Sequence, residues 1–381
     1  MRFQVIARDP GSAARLGRLY TPHGAVETPV FMPVGTAATV KAMPPPTLEE
    51  LDAQLLLANT YHLFLRPGHE VIRQLGGLHR FMSWPRALLT DSGGFQVFSM
   101  SEIRRITEEG IHFQSHLDGS PQFLSPEKAI EVQVALGADM IMALDECLPY
   151  PVSHEKARRS MEMTLRWARR SQAAFAELTS GALAAEGISG LNRQALFGIV
   201  QGSTYADLRR ECAQRLREMD FAGYAIGGLA VGEPPGLSFE MTEICVRELP
   251  EDKPRYLMGV GYPADLVEYV RRGVDMMDCV LPTRNARNGY LFTWSGALHI
   301  KNAAYARDPG PIDPRCPCPV CRRFSRAYLR HLFNAGEMLA PILATTHNLF
   351  FYLDILRRIR AALRQGTLDR LAAQLQRTEA S

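Results

Sequence analysis

Along this chain the apolar positions gather into short, near-continuous runs, each closed by a polar residue or a glycine. The runs are Pro29–Gly35, Leu55–Thr60, Ala87–Asp91, Ala138–Asp145, Leu196–Gln201, Tyr224–Gly228, Arg255–Gly259 and Val274–Asp278. Runs without alternation suit parallel strands covered on both faces. Most gaps hold an amphipathic helical pattern: Thr47–Ala53, Ser125–Leu136, Glu155–Leu178, Tyr205–Met219, Ser238–Leu249 and Ala264–Arg272. Ser125 before Pro126 is a favourable N-cap and first-turn pair. Eight strands alternating with helices predict an α/β fold of the TIM (β/α)8 barrel type, with a doubly wound open sheet as the rival.

Two segments depart from a plain barrel. Residues 1–28 predict a β-hairpin lid turning at Asp9-Pro10-Gly11, and residues 111–124 a second hairpin turning at Asp118-Gly119-Ser120. After the eighth run the chain changes character, with a glycine-bearing β segment, a cysteine cluster and a long basic helix. The expected organisation is a barrel over 1–282 and an appended subdomain over 283–381.

Composition narrows the class. Hydrophobic residues at 46% and charged residues at 22% match an ordinary globular chain. No apolar run approaches the roughly 18 residues of a membrane span, and Met1-Arg2-Phe3-Gln4-Val5 lacks the apolar stretch of a signal peptide. A cytoplasmic protein with no membrane association is expected. The net charge of +3 does not establish a nucleic-acid partner, although the stretch from Arg284 to Arg360 is rich in arginine. A solvated surface would look the same.

The chemistry falls at the ends of the runs, where the loops of such a barrel build its pocket. Asp91, Asp145, Gln201, the Gly227-Gly228 pair, Gly259 and Asp278 occupy equivalent positions. Singly, each could be a helix cap or a turn former. Together, two carboxylates can carry glycosyl transfer, one as nucleophile and one as acid and base. A further carboxylate with an amide and a glycine N–H can read the edge of a purine. Asp275 and Asp278 lie three apart on one strand, so only one of them enters the barrel. Spacing does not say which, nor whether Asp91 or Asp278 is the nucleophile. A glycoside hydrolase is a rival, but of its aromatic sugar platforms only Phe95 and Tyr61 are candidates.

Seven cysteines suit no disulfide framework, and three crowd together at Cys316, Cys318 and Cys321. With His347 they form a closed four-ligand zinc set of the structural kind, which leaves no position for a reacting water. His331 is an alternative fourth ligand.

The run Asp91-Ser-Gly-Gly-Phe-Gln-Val-Phe-Ser resembles the tRNA-guanine transglycosylase family. So do Phe31-Met-Pro-Val-Gly-Thr, Asn59-Thr-Tyr-His-Leu, Leu144-Asp-Glu-Cys-Leu-Pro-Tyr, Gly198-Ile-Val-Gln-Gly, Gly227-Gly-Leu-Ala-Val-Gly-Glu, Tyr256-Leu-Met-Gly-Val-Gly and Asp278-Cys-Val-Leu-Pro-Thr-Arg. The resemblance implies an irregular TIM barrel with a zinc subdomain, one structural Zn2+ per chain and a homodimer. It implies a ping-pong exchange at the first anticodon position of tRNAs with GUN anticodons, those for aspartate, asparagine, histidine and tyrosine. Asp278 would attack C1′ and hold the tRNA covalently, while Asp91 serves as general acid and base. Asp145, Gln201 and Gly228 would read the purine edge, with Phe95 and Met258 sandwiching the ring; some relatives carry tyrosine at Phe95. The Leu229 backbone and Glu233 would meet the aminomethyl group of the incoming base, and Arg284 and Arg287 would grip the anticodon stem-loop around U-G-U. Cys147 and Val231 would line the cleft. Val231, glycine in eukaryotic relatives, would favour the small precursor preQ1 over bulky queuine. Without the added RNA-binding domains of archaeal relatives, the bacterial type is expected. A catalytically silent partner subunit would have lost the nucleophile, and Asp278 is present.

Overall fold

The computed structural model describes residues 1–100, 104–180 and 194–379. The chain opens with three antiparallel strands, β1 (Arg2–Arg8), β2 (Arg15–Thr21) and β3 (Gly24–Thr28). The turn after Arg8 falls where Asp9-Pro10-Gly11 predicts it, but residues 1–28 form a three-stranded sheet and not a hairpin. The third strand is hidden in sequence because it runs into the first barrel strand with only Pro29 between them.

That first strand is itself divided, into β4 (Val30–Met32) and β5 (Val34–Gly35). The split falls at Pro33, which has no N–H to give to a ladder. The barrel continues through β6 (Leu55–Ala58) and β7 (Ala87–Thr90). A side sheet follows, of β8 (Arg104–Ile106), β9 (Ile111–Gln114) and β10 (Pro121–Leu124). It contains the expected 111–124 hairpin plus one more strand. Then come β11 (Met140–Met142), β12 (Ala195–Val200), β13 (Gly223–Ile226), β14 (Arg255–Leu257) and β15 (Met276–Asp278). The parallel order β4-β15-β14-β13-β12-β11-β7-β6-β5 returns to its start and nearly closes, giving the irregular (β/α)8 barrel and not the open sheet.

Both faces of these strands are apolar, and their parity decides what each face packs on. Leu55, Leu57, Met140, Met142, Phe197, Ile199, Tyr256 and Met276 share the inner cluster. Leu56, Leu88, Ile141, Leu196, Leu257 and Met277 join the outer cluster with the surrounding helices. Gly223 is required by this packing, because a Cβ there would sit 2.4 Å from the Phe197 ring. The helix Pro126–Leu136 starts as the sequence predicts, with the Ser125 side chain accepting from the Lys128 N–H at 3.1 Å.

The N-terminal sheet is a lid at the far end from the strand C-termini. Phe3, Leu19 and Val26 pack on the inner cluster with Leu55, Ala87, Met140 and Ala195, the first residues of their strands. Its Arg15, fully buried, clamps Asp275 through Nε at 2.9 Å and Nη2 at 2.6 Å. Past β15, the hairpin β16 (Tyr290–Thr293) and β17 (Gly296–His299) joins a separate cluster of Leu291, Ile300, Ile312, Val320, Leu329 and Leu343 around the cysteines. The helix Leu339–Gln365 bridges the two clusters, with Leu343 in the cysteine cluster and Ile355 and Ile359 on the barrel. Among the described residues it alone is long and apolar enough to cross a membrane, and 78% of its apolar window is buried inside the protein.

Candidate active site and metal centre

The polar run ends converge at the C-terminal mouth of the barrel. Parity settles the Asp275/Asp278 ambiguity: Asp278 shares the inward face of Met276, whereas Asp275 turns away to Arg15. Asp278 Oδ1 accepts from the Tyr256 hydroxyl at 2.6 Å and from the Gly259 N–H at 2.9 Å. No hydrogen bond reaches Oδ2 among the described residues. Burial pushes this carboxyl above its ordinary range, and the Tyr256 and Gly259 donors hold it back.

Asp91 directly follows β7 and is held differently. Its Oδ2 accepts from the Asn59 side chain and from Gln96 Nε2 at 2.8 Å, and its Oδ1 from the Thr60 N–H at 2.9 Å. Burial raises the Asp91 carboxyl to about 6 against the pull of these donors, and the charge on Asp278 adds to the rise. The glycines after it have steric work. A Cβ on Gly94 would lie 2.7 Å from the Asp145 carbonyl, so only glycine lets the helix Gly94–Met100 start there.

A second cluster sits alongside. Asp145 accepts from Ser92 Oγ at 3.0 Å and from Gln201 Nε2 at 2.7 Å, and burial raises its carboxyl too. Gly228, at φ +63°, faces Gln201 so closely that a Cβ would come within 2.2 Å of Oε1. Beneath the glycine pair lies Arg209, fully buried and with no carboxylate partner among the described residues. It donates to the carbonyls of Ser203 (2.6 Å), Val200 (3.1 Å), Gly227 (2.6 Å) and Gly228 (3.0 Å). This one cation thus ties the loop bearing Gln201 to the loop bearing Gly228. Cys147 is buried nearby, and burial with the Asp145 charge pushes its thiol up to about 12, so it is a neutral wall.

Around the rim, Phe95 is 48% exposed at the start of its helix and Met258 is half-buried after β14. Glu233 is turned to its own loop, its two oxygens accepting from the N–H groups of Ala230 (2.6 Å) and half-buried Val231 (3.0 Å). In the planar Leu229–Ala230 peptide this directs the Leu229 carbonyl away from Glu233. Arg284 and Arg287 lie on the helix Leu281–Arg287 directly after Asp278, and neither pairs with a carboxylate among the described residues. Tyr61 is no platform: it is buried, with its hydroxyl 2.8 Å from His116 Nδ1.

Tyr256, Asn59, Gln96, Ser92 and Arg209 escaped the sequence reading. A signal existed for Tyr256, a polar tip at an inward position of an apolar run. The others sit beside the recognised run ends and look like ordinary caps until the fold brings them round.

The four residues expected to hold a metal come together. His347 Nδ1 lies 3.8, 3.5 and 3.3 Å from the sulfurs of Cys316, Cys318 and Cys321. Its Nε2 is 2.7 Å from the Phe292 carbonyl, so the proton sits there and the Nδ1 lone pair faces the sulfurs. His331 is exposed and outside the cluster. Four buried or nearly buried donors of this kind fit one thiophilic ion and could hold it.

The comparisons agree with this geometry. A family model described as queuine tRNA-ribosyltransferase matches residues 9–381. The chain is 58% identical over 368 residues to the queuine tRNA-ribosyltransferase of Caldanaerobacter subterraneus subsp. tengcongensis, covering 97% of this chain and 95% of that one. It is 59% identical over 364 residues to the protein of that name from Koribacter versatilis, covering 96% and 94%. Against that of Symbiobacterium thermophilum it is 58% identical over 367 residues, covering 96% and 88%. With its barrel, its ring of strand-end carboxylates and its three-cysteine, one-histidine centre, the chain belongs to the queuine tRNA-ribosyltransferase family, the tRNA-guanine transglycosylases.

Proposed function

We propose that this enzyme removes guanine from the first anticodon position of tRNAs with GUN anticodons and installs preQ1, by a ping-pong exchange. The observation that supports the assignment is the unequal hydrogen bonding of the two carboxylates. Asp91 has both oxygens occupied by donors, whereas Asp278 has one oxygen fixed and the other open. An open, oriented oxygen suits attack on C1′, and a saturated carboxylate of raised pKa suits proton transfer near neutrality.

In the first half-reaction Asp278 Oδ2 bonds to C1′ and the C1′–N9 bond breaks, its electron pair leaving with guanine, to which Asp91 gives a proton. In the second, Asp91 takes a proton from the incoming base, whose nitrogen attacks C1′ and releases Asp278. Asp145, Gln201 and the Gly228 N–H read the purine edge, and Phe95 and Met258 stack on its faces. The Leu229 carbonyl, directed by Glu233, accepts from the aminomethyl group, and Val231 and Cys147 limit the pocket to a base of preQ1 size. Arg284 and Arg287 hold anticodon phosphates of the flipped-out loop.

The ion at Cys316, Cys318, Cys321 and His347 is zinc in this reading, and it takes no part in the chemistry. The division is a barrel over 1–282 and a tRNA-contacting zinc unit over 283–381, acting as a homodimer in the cytoplasm. Trapping under denaturing conditions tests the roles. Asp278→Asn should give no covalent tRNA adduct, while Asp91→Asn should slow turnover yet retain some. The reverse pattern would exchange the two assignments.

A further inference from the structure

At the opposite end of the barrel, three side chains from separate elements meet. His23 occupies the short turn between β2 and β3, His79 the helix Gly77–Phe81, and Asp139 precedes β11. The Asp139 carboxylate is 1% exposed. Its Oδ1 lies 2.8 Å from His23 Nδ1, and its Oδ2 lies 3.2 Å from His79 Nε2 while accepting from the Leu88 N–H at 2.9 Å. The two imidazoles stack with centroids 3.5 Å apart and planes 15° from parallel. His79 Nε2 is buried and makes no hydrogen bond despite that approach.

The arrangement serves poorly as a hydrogen-bonded structure alone. One buried nitrogen goes unserved, at a cost of about 1–3 kcal/mol, and two protonated rings stacked this closely would repel. All three donor atoms lie within 4.8 Å of one another, which is the spread of a common coordination shell. Parallel rings do not direct their lone pairs at one point, so one ring must swing. His23 is free to do so, since its side chain is 37% exposed on a turn, whereas His79 and Asp139 are fixed by burial.

We propose that His23, His79 and Asp139 form a second metal site, separate from the cysteine centre. Two imidazoles and one carboxylate select a first-row divalent ion such as Zn2+, Ni2+ or Co2+ over Mg2+ or Ca2+, which prefer oxygen-only shells. The exposed side of His23 leaves the remaining position to water. The bound ion staples the turn of the N-terminal sheet to the start of β11 and to the helix before β7, locking the lid onto the base of the barrel.

The test uses the full-length, zinc-loaded protein incubated with excess Ni2+, desalted, and analysed for total metal. The wild type should carry one more equivalent of metal than His23→Ala or His79→Ala, with the cysteine-bound metal unchanged in all three. Ni2+ should raise the melting temperature of the wild type and leave that of both variants unmoved. Circular dichroism on His23→Ala, whose side chain lies in an exposed turn, guards against misfolding as the cause. If the wild type takes up no additional metal, or if the variants take up as much, the three residues are only a polar contact and the proposal fails.

Discussion

Replacing Gly228 with alanine should damage recognition of the base as well as the fold. The new Cβ would stand 2.2 Å from Gln201 Oε1 and 3.2 Å from its Cδ. To reach an ordinary contact the amide must retreat by about 1 Å. Its Nε2 lies 2.7 Å from Asp145, so that retreat breaks the hydrogen bond to the carboxylate. A hydrogen bond to a charged group contributes about 1.5–3 kcal/mol, which is about 10- to 150-fold in affinity for the base. The backbone adds a second term, because φ is +63° and a non-glycine residue there costs about 1–2 kcal/mol of stability. The assay is incorporation of labelled guanine into tRNA, with KM for the base separated from tRNA affinity measured by filter binding. KM for guanine should rise while tRNA affinity holds. Gly236→Ala is the control, since a Cβ there meets nothing within 4 Å. Combining Gly228→Ala with Gln201→Ala should cost less than the sum of the two, because removing the amide removes the clash. A normal KM in Gly228→Ala, or additive effects in the pair, would refute the steric argument.

Four further outcomes are expected. Tyr256→Phe deprives Asp278 of one of its two donors, so its carboxyl should rise further and the acid limb of the pH–rate profile should move to higher pH; an unmoved limb would deny Tyr256 a positioning role. Asp91 binds its proton more tightly folded than unfolded, so it stabilises below about pH 4 and that contribution is lost as pH rises through about 6. Asp91→Asn should therefore stabilise the fold at pH 8, by on the order of 3 kcal/mol, and raise its melting temperature there, with the advantage shrinking towards pH 5. Cys318→Ala should lower bound zinc and unfold the C-terminal unit, as structural zinc sites supply roughly 10 kcal/mol, and a metal-free enzyme of normal melting temperature would contradict this. Val231→Gly should shift incorporation from preQ1 towards queuine, by about 10- to 200-fold at most for a few methyl groups, and equal use of both bases by the wild type would show that Val231 is no gate.

Much of this was legible in the sequence because barrel strands write their ends plainly. An apolar run covered on both faces stops where the chain meets the pocket, so Asp91, Gln201 and Asp278 announced themselves by position. Parity then decided between Asp275 and Asp278, but only once Met276 was known to face inward. The lid was harder. Asp9-Pro10-Gly11 marks its first turn, whereas Gly24–Thr28 reads as a prelude to the barrel, and nothing in local pattern says which end of a barrel a sheet covers. The supports of the site were the least visible. Asn59 and Gln96 touch Asp91 across 32 and 5 residues, and their amides carry no mark of that use. Arg209 lies in a helix with an arginine beside it, and its burial beneath two glycine carbonyls is a property of the fold alone.

Three buried carboxylates at one mouth would be a poor design for a molecule that needed only to fold, since each is pushed towards neutrality by its surroundings. The donors around them divide the labour. Asp145 is paired with an amide and a hydroxyl, which fix its orientation. Asp91 takes two side-chain amides on Oδ2 and a backbone N–H on Oδ1, which hold the carboxyl still. Asp278 has one oxygen tethered by Tyr256 and Gly259 and, among the described residues, no donor on the other. The same residue type thus meets three different sets of donors at the ends of β7, β11 and β15, of which only β7 and β11 are neighbours. The cost of burying them falls on elements outside the pocket. Arg15 fastens the lid to Asp275 below, and the helix carrying His347 fastens the cysteine unit to the barrel beside Asp278 through Asn348, whose amide bonds the Pro282 and Tyr290 carbonyls at 3.1 and 3.0 Å. Loosening that helix should therefore disturb the Asp278 strand before it disturbs Asp145, whose hydrogen-bond partners among the described residues, Ser92 and Gln201, belong to the barrel.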